Sequence, residues 1–127
     1  MKFLFTVISF VFLTWYDKSD IPYNEIEKAF LNGDTNAISK MGNDKLIISL
    51  FGKESVYSNQ QAVLVLKDFF TKYPISSFKF VFKGKENQDG TFSIASYESR
   101  NGNVRITFHF QKSDSLYKIA RLNFEKE

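Results

Sequence analysis

The amino-acid sequence predicts an α+β fold, a curved antiparallel sheet wrapped around N-terminal helices. Three observations predict it. Up to Pro74, capped segments carry apolar residues at helical spacing. From Phe78 onward the period falls to two, with Phe78, Phe80 and Phe82 alternating against Lys79, Val81 and Lys83. Asn101-Gly102 then lies between two alternating runs, which is the strongest short hairpin signal. Helices followed by consecutive antiparallel strands gather on one side of the sheet.

Each element has its own warrant. Pro22 suits the first turn of a helix, where a missing N–H costs nothing. Ile26, Ala29 and Phe30 fall on one face, and Gly33 closes the helix in the left-handed conformation. Asp34 caps a second, short helix carrying Ala37, Ile38 and Met41 and ending at Gly42. "KLIISLF", residues 45–51, is short, apolar and bounded by Gly52; it reads as a strand that "ESVYS" continues after a turn. Ser58 with Gln61 forms a capping box that opens a third helix, and Tyr73-Pro74 stops it. Ala62, Val65, Leu66, Phe69, Phe70 and Tyr73 share its broad face, while Leu64 looks outward among Gln60, Lys67, Asp68 and Thr71. With Asn101-Gly102 as a two-residue turn, Glu98 faces Arg105, Tyr97 faces Ile106 and Ala95 faces Phe108. A last strand, "LYKIARLNF", follows "KSDS"; a three-residue loop there sets Ala120, Leu122 and Phe124 beside Phe108, Ile106 and Val104.

At 127 residues the chain holds one core. Fifteen Phe and six Tyr, against one Trp and one His, suit a small domain that fills that core with few, large side chains. Lys2 followed by the apolar run Phe3 to Leu13 has the form of a secretory signal, too short to span a bilayer comfortably. The division is therefore a signal peptide over 1–19 and a single domain over 20–127. It implies an exported chain, periplasmic or extracellular, with no stable membrane insertion after signal removal. Cleavage falls between Thr14 and Asp20, although Trp15 and Tyr16 stand where small residues are usual. An uncleaved anchor or a buried first strand are the alternatives.

Cysteine is absent, which removes disulfides, thiolate metal sites and lipid attachment through cysteine, and one histidine makes no cluster. No cofactor and no metal ligands are expected. The net charge of +3 is small, with nine basic and six acidic residues from Ile75 onward. No dense basic stripe accompanies it, so nucleic acid is not an expected partner.

The order of these elements carries a resemblance. The stretches "DIPYNEIEKAFLNGDTNAISKMGNDKLIISL", "VYSNQQAVLVLKDFFTKYP", "FKFVFKG" and "YKIARLNFE" are similar to an uncharacterised family of short exported bacterial proteins. That family lies within the nuclear-transport-factor-2-like superfamily, also called cystatin-like or SnoaL-like. The resemblance covers about Asp20 to Glu127 and implies a helix-lined cone whose open end can hold a small apolar ligand. It also implies a sheet that often pairs into dimers. It implies no single activity, because one scaffold hosts enzymes, carriers and interaction modules.

No catalytic residue is assigned. His109 shares a face with Arg105, Thr107 and Gln111, opposite in phase to Phe108 and Phe110, which is the profile of a solvated outer face. Asp68 stands on the polar side of the third helix, and Asp34 serves as a cap. No two carboxylates share a buried face, so glycosidase-type chemistry lacks its parts. "GKENQDG" has no following helix and reads as a polar hairpin loop. The aromatic excess either fills the cone or leaves a gap at its wide end. In the second case Tyr57, Phe69, Phe70, Tyr97 and Phe108 are the ligand-binding set, with Tyr57 and Tyr97 supplying polar groups. Non-catalytic binding of a small apolar ligand or a peptide in the cone is thus the first functional expectation, and an isomerase or hydrolase the distant one. The second is a homodimer through the outer sheet face, where Phe92, Ile94, Tyr117 and Ile119 join the polar residues.

Overall fold

The computed structural model describes residues 20–127, and the signal segment expected over 1–19 lies outside them. Helix α1 spans Tyr23–Leu31, with Pro22 as its N-cap residue. Its end is a Schellman motif: Asp34 N–H donates to the Ala29 carbonyl at 2.8 Å and Gly33 N–H to the Phe30 carbonyl at 3.1 Å. Gly33 sits at φ 62, as that motif requires. Asp34 then caps α2, Thr35–Lys40, by accepting the Ala37 N–H at 3.1 Å. Both bonds of the capping box at Ser58 and Gln61 are present at the start of α3, Asn59–Lys72. Leu64 is 65% exposed and Leu66 fully buried, so the helix is phased as its pattern predicts.

Six strands follow or interleave: β1 Gly42–Leu50, β2 Lys53–Ser58, β3 Ile75–Lys83, β4 Gly90–Ser99, β5 Val104–Ser113 and β6 Leu116–Lys126. They form one curved, unclosed sheet in the order β2-β1-β6-β5-β4-β3. The β1–β6 pair is parallel and every other pair antiparallel. The inner face meets the helices and carries the core, with Phe30 stacked on Phe78 at 4.8 Å and Phe69 against Phe124 at 4.6 Å. Among the described residues the three helices pack on this face alone.

Two registers differ from the sequence reading. The β4–β5 turn is not a two-residue turn. It runs Ser99–Gly102, closed by Gly102 N–H to the Ser99 carbonyl at 3.0 Å. Asn101 is drawn away from the left-handed role by its amide, which donates to the Lys72 carbonyl at 2.8 Å and ties the turn to α3. Tyr97 therefore faces Val104 and Ala95 faces Ile106. Glu98 bonds the Ser77 hydroxyl at 2.8 Å, and Arg105 stands 3.8 Å from Glu125, so these two do not pair with each other. A shift of two preserves the faces.

The β5–β6 loop has two residues rather than three, with Ser113 opposite Leu116. That single-residue slip turns Tyr117 and Ile119 inward, where they are 7% and 1% exposed. A bulge beside His109 and Phe110 absorbs Ala120, and beyond it Leu122 and Phe124 point inward as expected. The outer face consequently lacks Tyr117 and Ile119. A second bulge, between Phe80 and Phe82, turns Phe82 outward to 46% exposure.

Candidate functional site

The aromatic residues singled out for a cone cavity are largely packed against one another. Phe69, 3% exposed, meets Tyr97 at 5.0 Å, Phe70 at 5.7 Å and Phe124 at 4.6 Å between ring centroids. Phe70 is half-buried between Phe30 and Tyr97, at 5.7 and 6.1 Å. Tyr97 and Phe108 are fully buried. Burial pushes the Tyr97 phenol well above its ordinary value, and its hydroxyl donates to the Tyr73 carbonyl. Tyr57 lies apart on β2, half-buried and opposite Leu46. Among the described residues these rings belong to one packed cluster between the helices and the sheet.

Several clefts open on the surface of the described residues, and one of them borders Phe69. A cleft of about 360 Å³ sits between the β1–β2 turn and the last turn of α3. Leu50, Phe51, Phe69 and Tyr73 make its apolar part; Lys53, Asp68 and Lys72 make its charged rim. Of the five residues named from the sequence, Phe69 borders this cleft and the other four do not. The turn is a two-residue hairpin with Leu50 opposite Lys53, and its central residues Phe51 and Gly52 have φ 51 and 92. That geometry selects Gly, Asn or Asp. A bulky residue there is an outlier, held against a steric cost. Phe51 is held by its N–H to the Phe124 carbonyl at 2.9 Å and by its ring, 5.4 Å from Tyr73 and 6.5 Å from Phe69.

The opposite wall is equally fixed. Tyr73 stacks on Phe69 at 5.3 Å, and the Lys72 and Tyr73 carbonyls are occupied by Asn101 and Tyr97. Asp68 is ion-paired with Lys72 at 3.1 Å. Sequence reasoning missed Phe51 because it reads as the last apolar residue of a strand. The available signal was Gly52 beside it, at a short connection between two strand-like runs.

The outer face of the sheet is the second candidate. One lateral row crosses five strands, Val56, Ile47, Arg121, His109 and Phe92. Phe82 extends it onto β3, its ring 5.3 Å from Phe92. Arg121 pairs with Glu54, and His109 lies nearly parallel to Phe92 at 6.2 Å. Burial first, then the Arg121 charge, holds the His109 imidazole below its usual value. Among the described residues no group of three or more His, Cys, Asp or Glu could hold a metal ion.

The family model described as a domain of unknown function, DUF4783, matches residues 23–125. The chain belongs to the DUF4783 family. A DUF4783 protein from Bacteroides ovatus ATCC 8483 is 26% identical, with a TM-score of 0.79 over 86% of this chain and 98% of its own. One from Bacteroides uniformis ATCC 8492 is 24% identical, with a TM-score of 0.77 over 84% and 97%. More distant likeness reaches a ketosteroid isomerase-like protein from Erwinia carotovora atroseptica SCRI1043 (15% identity, TM-score 0.65, 81% and 88% covered). The DUF4783 fold is thus nuclear-transport-factor-2-like, or cystatin-like. No curated protein is matched by the chain.

Proposed function

We propose that this DUF4783 chain is an exported, non-catalytic binding module that takes a small apolar ligand at the mouth of its cone. The observation that carries the reading is Phe51. A strained aromatic residue occupies a turn position that glycine would fill without cost, and its ring forms one wall of the cleft. The cleft has the size and the mixture of apolar lining with few polar groups that small-molecule sites have. Titration with small apolar probes tests it. The expected result is localised NMR shift changes at Phe51, Phe69 and Tyr73, abolished in Phe51→Gly while the fold persists. Shifts spread over the whole sheet, or none, would refute it.

A second reading is supported by the outer face. Phe82, Phe92 and Val56 are 46%, 42% and 55% exposed along one row, and no described helix covers them. We infer that this face pairs with a second copy, burying at least about 1,000 Å². Phe92→Glu should yield a folded monomer by light scattering; an unmodified chain that is monomeric at high micromolar concentration would refute it.

A further inference from the structure

The mouth cleft combines an aromatic floor with a cationic rim, and together they define a ligand class narrower than apolar. Lys53 enters from the first residue of β2, and Lys72 from the last residue of α3. A third ammonium, Lys126, lies 5.4 Å from the centroid of the Phe51 ring. Asp68 is the acid on the cleft rim; its ion pair with Lys72 at 3.1 Å is largely exposed and weak, and it is one negative charge against three ammonium groups. Positive charge therefore remains around the ring cluster.

The end of a helix ordinarily repels an anion, because its last carbonyls are unpaired and carry partial negative charge. Here two such carbonyls are already engaged. Lys72 C=O accepts from the Asn101 amide at 2.8 Å, and Tyr73 C=O accepts from the Tyr97 hydroxyl. Beneath the rim, Phe69 and Tyr73 stack with planes 20° apart, and Phe51 tilts 42° against Tyr73. The three rings offer an alkyl chain an apolar corner that ends at the ammonium groups.

Building on the cleft as the binding site, we propose that its ligand is a small amphipathic carboxylate. The apolar tail lies on Phe51, Phe69 and Tyr73, and the carboxylate sits between Lys53 and Lys72. Lysine acts here as a flexible point charge, which suits a headgroup near solvent.

Octanoate and 1-octanol, which share a chain length and differ in charge, test this on the full chain. Binding is read by calorimetry and by the resonances of Phe51, Phe69 and Tyr73. Octanoate should bind about fivefold more tightly than octanol at low salt, the scale of exposed ion pairs, and the preference should shrink as salt screens it. Lys53→Gln with Lys72→Gln should abolish the preference, whereas Lys79→Gln, an exposed lysine on the opposite sheet edge, should leave it intact. Equal affinity for the two probes would overturn the carboxylate assignment and leave the apolar cleft standing. A preference that survives the double substitution would overturn it as well. Failure of both probes to move the three ring residues would overturn the cleft reading and this inference together.

Discussion

Phe69→Ala is the most demanding test of the packing. The ring is 3% exposed and lies within 4.6 to 6.5 Å of five others, Phe51, Phe70, Tyr73, Tyr97 and Phe124. Truncating a buried Phe costs roughly 3–5 kcal/mol, and the spread reflects how far the neighbours can collapse into the void. Collapse is resisted here, because Tyr97 is tied through its hydroxyl to the Tyr73 carbonyl and Phe124 is locked in β6. Each lost ring pair adds about 0.5–1.5 kcal/mol beyond area, so the expected loss is at the upper end, about 4–5 kcal/mol. Leu64→Ala, at a site 65% exposed on the same helix, should cost under about 1 kcal/mol. Urea denaturation followed by far-UV circular dichroism measures both, with unchanged m-values expected. Equal losses at the two sites would refute this account of the packing.

Ile119→Glu buries a carboxylate in the core and should abolish folding rather than release a monomer, by circular dichroism; a folded variant would contradict the register of the β5–β6 hairpin. Gly90→Ala should cost roughly 2 kcal/mol or more in thermal unfolding, because a Cβ at φ 140 would stand 2.1 Å from the Phe110 carbonyl oxygen. His109 is held below 6.5 in the folded chain, so in the window just under that value the unfolded chain binds more protons. Stability should therefore fall as pH drops from about 7 toward 5. His109→Gln should flatten that slope of urea midpoint against pH, and an unaltered slope would contradict it.

Caps were legible in the sequence and bulges were not. Asp34, Ser58, Gln61 and Pro74 act within a few residues of themselves, so the local chemistry that names them also places them. Register is decided by partners distant in sequence. At β4–β5 the Asn-Gly signal was outweighed by the Lys72 carbonyl, a group 29 residues away that the hairpin pattern alone does not reveal. At β6 a one-residue slip and a compensating bulge left Leu122 and Phe124 where alternation put them while reversing Tyr117 and Ile119. The candidate site was legible in its floor and not in its wall. Phe69 follows from helix phase, whereas Phe51 depends on a turn conformation that its residue type disfavours.

The parallel pairing of β1 with β6 has a consequence for how the chain acquires its structure. β6 is the one strand that joins the β2–β1 hairpin to the β5-β4-β3 meander, so the sheet remains in two pieces until it is in place. A ribosome releases β1 long before β6, with Gly42 waiting for Ile119. The early hairpin must stay unzipped along that edge or rest on α3 alone. Such a topology raises contact order and slows folding, because a long loop closes before the seam returns any energy. A chain lacking β6 would carry an unpaired β1 edge, the kind of exposed strand edge that invites wrong pairing.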